Sequence, residues 1–476
     1  MQKIVKKLND FGKNFNVFLF LIFAFSFVFK SLSYEEYSFP TWDGTYYINY
    51  FQDASWMWVL HPGYPIVIKF FSYFFKDSVI TAQFVSIVAS CLSIYPFYRI
   101  VRFRLDEKLS LLATAVFSFI PILFIFGMVT YSESLYILFL LWGFERYFKS
   151  KYFLSGFFFG LAYLTRPEAL LIYFAIFLVI LIKSFNFEIG VISGIVYWTK
   201  NKIALKSFIP FVFGGLILIL PYTGYLSIQA GELTLTKKTM NVRPWSSDWR
   251  ENLKNEGFKS KETVISSIIK ESPKRALQYG SIIINSINFV VLIFFIIGLF
   301  QGFNILMFSF PILLILPFLG LNPSERLIVP LVPFMIILAF YGISKWRYSL
   351  ILGSLILLGS VLTKPEYKSD FYPEMKTISQ NFEKDKIFLD RKPYVAFFAK
   401  GVYEQIPNIS IDSVVEILKE KKADYLVLST QVIPIFRPQL IPLFQSQVAS
   451  SYGLKKKAIF KASDGGGILI YELSSI

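Results

Sequence analysis

The chain is 476 residues long, 55% hydrophobic and 19% aromatic, with 54 Phe and only 17% charged residues. That apolar load exceeds what a soluble core uses, and it gathers in long runs (17–29, 109–126, 208–220 and 289–300) that read as helices crossing a bilayer, where a helix satisfies its own backbone groups. The net charge of +16 sits largely on the flanks of these runs rather than on a compact basic domain, which argues against nucleic acid, and Cys91 alone excludes an intramolecular disulfide framework or a thiolate metal site.

The start of the chain carries Lys3, Lys6, Lys7 and Lys13 before the first apolar run, and Phe29-Lys30-Ser31 offers no small-residue cleavage pattern. A retained first helix with a cytosolic start is the expectation. Hydropathy places spans at 14–30, 78–98, 109–127, 132–148, 152–165, 168–183, 206–226, 281–300, 304–320, 325–343 and 347–362. The pattern predicts a polytopic α-helical membrane protein of about 11–13 transmembrane helices; short alternating segments, the mark of an outer-membrane barrel, are absent. Starting inside, alternate loops collect Arg99, Arg102, Arg104 and Lys108, then Arg146, Lys149 and Lys151, then Lys183, Lys200, Lys202 and Lys206, and last Lys345 and Arg347. This is the positive-inside pattern. It holds only if the apolar stretch 62–76 lies along or dips into the membrane, and it leaves 185–198 at the inner interface.

The outer side then receives 31–77, the corner at 129–132, the loop 227–280 and everything after 363. The tail changes character. Residues 384–392 read as a short strand entering a turn, 411–421 as an amphipathic helix, 423–428 as a strand, and 468–471 as a closing strand after the triglycine 465–467. These make a small outer-side α/β domain over 363–476, following a membrane domain over 1–362. The triglycine lacks a following Lys-Ser/Thr and reads as a hairpin turn, not a phosphate loop. Asn408-Ile409-Ser410 is a formal glycosylation sequon.

Several polar residues converge on that outer level. Asp43 follows the first span in Thr41-Trp42-Asp43-Gly44-Thr45-Tyr46-Tyr47, a place for a base acting on a lipid-linked substrate. His61 opens His61-Pro62-Gly63-Tyr64-Pro65, Glu133 stands at a helix mouth, and Arg166 and Glu168 occupy a corner between spans. Arg326 begins a late span, and its guanidinium fork suits a phosphate leaving group; Arg243 lies in a basic, aromatic loop that is a candidate grip for head group or acceptor. Each also has a structural reading. Asp43 and Glu133 fit helix caps, His61 a packing partner of Tyr64, Arg166 an ion pair with Glu133 or Glu168, and Arg326 a snorkelling cation.

Five motifs in order carry a family resemblance: Trp42-Asp43-Gly44 with Tyr46-Tyr47; His61-Pro62-Gly63-Tyr64-Pro65; Ser132-Glu133; Gly160-Leu161-Ala162-Tyr163-Leu164-Thr165-Arg166-Pro167-Glu168; and Ser324-Glu325-Arg326 running on to Pro330 and Pro333. In these the membrane part resembles the GT-C polyprenyl-phosphate-sugar-dependent glycosyltransferases, which include protein O-mannosyltransferases and the aminoarabinose transferase of lipid A. The resemblance implies an inverting enzyme of a prokaryotic plasma membrane with its site facing outside. Such an enzyme moves a sugar, mannose or another hexose, from a polyprenyl- or dolichyl-phosphate donor to a protein, lipid or glycan hydroxyl. It implies catalytic roles for Asp43 and Glu133; His61, Tyr64, Arg166, Glu168, Arg243 and Arg326 are the candidate substrate contacts by their own placement and chemistry. Two departures stand out: His61-Pro62-Gly63 replaces the family's Lys-Pro-Pro, and Glu133 stands where several relatives have Asp. The donor is the lipid-phosphate sugar. The sequence leaves a divalent metal open, although the first loop has no Asp-x-Asp pair and His61 is the only histidine. A transporter or lipid-linked-sugar flippase is the alternative, for which internal repeats or broken binding helices are the expected marks.

Overall fold

The computed structural model describes residues 17–33, 39–52, 60–186, 199–200, 202–231, 233–236, 273–284, 287, 289–300, 324–363, 374–461 and 466–473. The helical part comprises α1 (Val17–Ser33), then α2 (Trp42–Asn49), α3 (Gly63–Phe71), α4 (Ser78–Leu92), α5 (Ile94–Val101), α6 (Glu107–Phe119), α7 (Pro121–Phe126), α8 (Glu133–Phe148), α9 (Tyr152–Thr165) and α10 (Ala169–Ser184). A two-residue antiparallel pair, β1 (Phe185–Asn186) with β2 (Thr199–Lys200), precedes α11 (Lys202–Ala230), α12 (Phe289–Phe300), α13 (Glu325–Ile328), α14 (Val332–Ser344) and α15 (Ser349–Leu362). Among the described residues, three helical stretches are long and apolar enough to cross a membrane by themselves: Ser78–Val101, Ser207–Ala230 and Glu325–Ser344. Val17–Ser33, Tyr152–Thr165, Ala169–Leu181 and Ser349–Leu362 are shorter apolar helices.

Local chemistry sets these boundaries. Asp77 starts α4 by accepting hydrogen bonds from the amides of Val79 (2.8 Å) and Ile80 (3.1 Å), and Asp106 starts α6 through Leu109 N (3.0 Å). The span drawn at 109–127 is a correction: it is two helices. Pro121 lacks an amide hydrogen and holds Ile120 extended (φ −60, ψ 129), so the chain breaks between α6 and α7. The stretch 62–76, read as not crossing, contains the nine-residue α3. The span 304–320 and most of 185–198 lie outside the described residues, as do Arg243 and the N-terminal lysines.

Helices α9 and α11 approach through glycine. A Cβ on Gly156 would sit 2.0 Å from the carbonyl oxygen of Phe211, and one on Gly214 would sit 2.1 Å from that of Phe153. Small residues let backbones meet where apolar side chains gain nothing from exchanging lipid for each other.

The C-terminal part runs α16 (Glu374–Ser379), β3 (Ile387–Asp390), α17 (Tyr394–Ala399), β4 (Val402–Gln405), α18 (Ile411–Glu420), β5 (Tyr425–Ser429), α19 (Ile433–Phe436), α20 (Ser446–Ser451), β6 (Leu454–Lys461) and β7 (Gly467–Leu473). Its five-stranded sheet has the order β4-β3-β5-β7-β6, with β3 parallel to β4 and β5, and β7 antiparallel to β5 and β6. Strand alternation splits the core between the two faces: Leu389, Leu426 and Leu428 pack with Val414 and Leu418 of α18, while Phe388 and Val427 pack with Tyr394, Val395 and Ile470. The chain divides into two compact units, and Phe39–Asn49 groups with the tail rather than with the helical bundle. Phe39 and Trp42 accordingly pack on the Phe388 face.

Candidate active site

In the helical unit, four of the expected residues form one chain of alternating charge. Glu133 is the first residue of α8 and its side chain is fully buried. One of its carboxylate oxygens, Oε1, accepts from Arg166 Nη1 and also from Arg326 Nε, the latter at 2.6 Å. Arg166, at the C-terminal cap of α9, turns two further donors onto Glu168: Nε to Oε2 at 3.3 Å and Nη2 to Oε1 at 3.2 Å. Aromatic faces lie beside both cations. The Arg326 guanidinium sits 4.0 Å from the Tyr131 ring centre, and that of Arg166 sits 5.8 Å from the Tyr136 ring centre. These two tyrosines flank Glu133 in sequence, and the sequence reading had not singled them out.

Exposure separates the members. The side chains of Glu133 and Arg166 are 0% and 3% exposed, whereas Glu168 and Arg326 are 18% and 21% exposed. A buried carboxylate between two guanidinium groups is tolerable because its charge is met by hydrogen-bonded partners, and removing one partner would strand the rest. Chemically, the chain is a set of paired charges whose Arg326 end is partly exposed, and a guanidinium is a group that binds oxyanions through charge-assisted hydrogen bonds.

His61 and Tyr64 are committed to protein partners. His61 Nδ1 lies 2.7 Å from the Tyr163 carbonyl oxygen and Nε2 lies 3.1 Å from Thr236 Oγ1. A carbonyl only accepts, so Nδ1 carries the proton; a neutral ring then accepts the Thr236 hydroxyl at Nε2. Tyr64 donates to the Ala82 carbonyl at 2.8 Å and meets Ser86 Oγ at the same distance. Gly63 seats this corner against the end of α9: a Cβ there would lie 2.7 Å from Thr165 Oγ1 and 2.8 Å from Leu164 O, one residue short of Arg166.

Asp43 belongs to the other unit, in the first turn of α2. Thr41 caps that helix, its Oγ1 accepting from Gly44 N at 3.0 Å, and Thr45 Oγ1 donates to Trp42 O at 2.7 Å. The carboxylate is half-buried at a helix N-terminus, where negative charge is favoured. Arg243 lies outside the described residues. Among the described residues, no three His, Cys, Asp or Glu side chains group as a metal site.

Residues 61–213 match the model of the dolichyl-phosphate-mannose-protein mannosyltransferase family. That stretch contains His61, Tyr64, Glu133, Arg166 and Glu168, and leaves Asp43 and Arg326 outside it. No curated protein matches the chain. Among solved structures, ArnT from Cupriavidus metallidurans bound to undecaprenyl phosphate is similar with a TM-score of 0.54 and 11% identity, over 94% of this chain and 97% of that one. The archaeal oligosaccharyltransferase AglB from Archaeoglobus fulgidus, in complex with an inhibitory peptide and a dolichol-phosphate, is similar with a TM-score of 0.53 and 12% identity, over 96% of this chain and 74% of that one. This chain spans 66% to 74% of the length of the Archaeoglobus chains. The fold is therefore that of the membrane-embedded GT-C glycosyltransferases, here with a five-stranded C-terminal sheet.

Proposed function

We propose that the protein is an inverting glycosyltransferase that moves a sugar, mannose or another hexose, from a polyprenyl-phosphate donor to an acceptor hydroxyl at the outer membrane face. The observation that carries this reading is the Glu168–Arg166–Glu133–Arg326 chain, which ends in a partly exposed guanidinium. The lipid phosphates held by ArnT and AglB, on the same fold, support the donor class.

In this reading Asp43 accepts the proton of the acceptor hydroxyl. The acceptor oxygen bonds to the anomeric carbon as that carbon's bond to the phosphate oxygen breaks, and the bonding pair leaves with polyprenyl phosphate. A single displacement inverts the anomeric centre and needs one base. Arg326 meets the charge growing on the leaving phosphate. Arg166 is held off by its two carboxylates, so its part is to fix Glu133, and through it Arg326. His61 supports the corner beside Arg166 and does not touch the donor.

The test uses purified full-length protein in vesicles with polyprenyl-phosphate mannose, glucose or galactose and a hydroxyl acceptor. Release of polyprenyl phosphate together with a glycosylated acceptor is expected for one donor. Movement of the intact lipid-linked sugar between leaflets with no transfer would overturn the proposal in favour of a flippase.

A further inference from the structure

We infer that Arg391 and Lys392, at the end of β3, are positioning residues for Asp43, holding its helix through Trp42. The inference rests on the reading of Asp43 as the base. The two basic side chains are unusual: both follow the last residue of a buried strand and are themselves only 6% and 7% exposed. The Asp390 carboxylate forces the turn that aims them, its Oδ1 accepting from the amides of Arg391 (2.6 Å) and Lys392 (3.2 Å).

Both cations then face the same rings. Lys392 Nζ lies 3.7 Å from the centre of the Trp42 ring and 5.4 Å from that of Phe436, and the Arg391 guanidinium lies 4.8 Å from each. Arg391 Nε and Nη1 are buried with no hydrogen-bond partner among the described residues. Its charge is answered by aromatic faces, an attraction that strengthens when water is removed. If stability alone were served, well-packed apolar residues would do as well as buried cations. What the cations add is direction: a ring held by its face has its plane fixed.

Trp42 is also tied at its edge. Its Nε1 donates to Tyr46 Oη at 2.9 Å, Tyr46 and Tyr403 share a hydrogen bond between their hydroxyls, and Tyr403 donates to the Arg391 carbonyl at 3.2 Å. The protons leave one arrangement: the indole only donates and the carbonyl only accepts, so Tyr46 donates to Tyr403. The relay therefore starts at Trp42 and returns to the backbone of the residue whose side chain stacks on it. Asp43 is the next residue after Trp42 and shares its first helical turn, so what anchors Trp42 anchors the stretch of backbone that carries the carboxylate.

The experiment uses the full chain and compares K392M, K392R and Y403F with the parent, with D43N in parallel. The expected result is a fall in kcat of about tenfold in K392M and Y403F with donor KM unchanged, recovery of most of the loss in K392R, and a displaced acid limb in the kcat–pH profile. Amide exchange of residues 42–49 rises at least tenfold in K392M while that of β5 stays at the parent rate. Parent-like exchange and parent-like kcat per folded molecule in both K392M and Y403F would overturn the clamp. If β5 exchange also rises in K392M, Y403F alone decides, since it removes one hydroxyl and no charge. A D43N protein with normal turnover sinks the base reading instead, and the exchange data still report whether Lys392 holds the helix.

Discussion

Arg326 and Glu133 stand 193 residues apart in the chain and are joined by a 2.6 Å hydrogen bond from Nε to Oε1, the oxygen that also receives Arg166. One carboxylate thus fixes two guanidinium groups that arrive from different helices. Glu133→Gln keeps the size of the side chain and removes the charge that both need. Turnover is expected to fall by roughly 10²- to 10³-fold, with a loss of stability of about 3–5 kcal/mol at most, the cost of stranding buried charges. Thermal melting and single-turnover transfer on the same preparation measure both; an unchanged rate in folded E133Q contradicts the assignment.

The two arginines should respond differently. Arg326 is the more exposed and is proposed to meet phosphate, while Arg166 is buried and paired with both Glu133 and Glu168. R326A is expected to lose transfer by about 10²-fold or more, with R326K intermediate because lysine keeps the charge and loses the planar fork. R166K is expected mainly to melt earlier. Donor-binding isotherms separate them: weakened binding in R166A but not in R326A reverses the roles.

Packing of α9 on α11 gives a test free of the chemistry. Gly156→Ala places a methyl against the Phe211 carbonyl, a backbone atom that cannot move aside. A loss of about 1–3 kcal/mol is expected in detergent, with donor KM unchanged. Parent-like melting would show that the helices separate at little cost.

Much of the tail was legible because its signals are local. The helix read at 411–421 is found at Ile411–Glu420, and the strand read at 423–428 at Tyr425–Ser429, since amphipathic spacing and alternation report on neighbours. Glu133, Arg166, Glu168 and Arg326 were legible as charges in apolar surroundings, and their order matched a family pattern. The ion-paired chain they form was not, because it depends on which side chains the folded helices bring within hydrogen-bond reach. Hydropathy also ran a span across Pro121, where backbone sterics decide. The packing of Trp42 on Arg391 and Lys392 has no periodic signature: it pairs a short first-loop helix with a turn in the tail, and only the folded chain brings them together.

The tail carries its own pH dependence. Burial raises the Asp390 carboxyl to about 7 from an ordinary value of 3.8, against the pull of the Lys392 and Arg391 amides and the charges of both side chains. The folded form therefore keeps a proton that the unfolded chain gives up, so this contribution to stability is full below 3.8 and is lost as pH rises to about 7. D390N keeps an acceptor for both amides and removes the titration. The difference in melting temperature between D390N and the parent is expected to grow in favour of D390N from pH 4 to pH 7 and then level. Parallel melting curves across that range would contradict it.

The proton transfer assigned to Asp43 is the centre of the account. Single-turnover transfer by D43N, with donor affinity measured on the same folded protein, tests it most directly. The account predicts a rate lower by roughly 10²- to 10⁴-fold, donor affinity close to that of the parent, and inverted configuration in the residual product. Near-parental chemistry in D43N, with turnover not limited by product release, would contradict it.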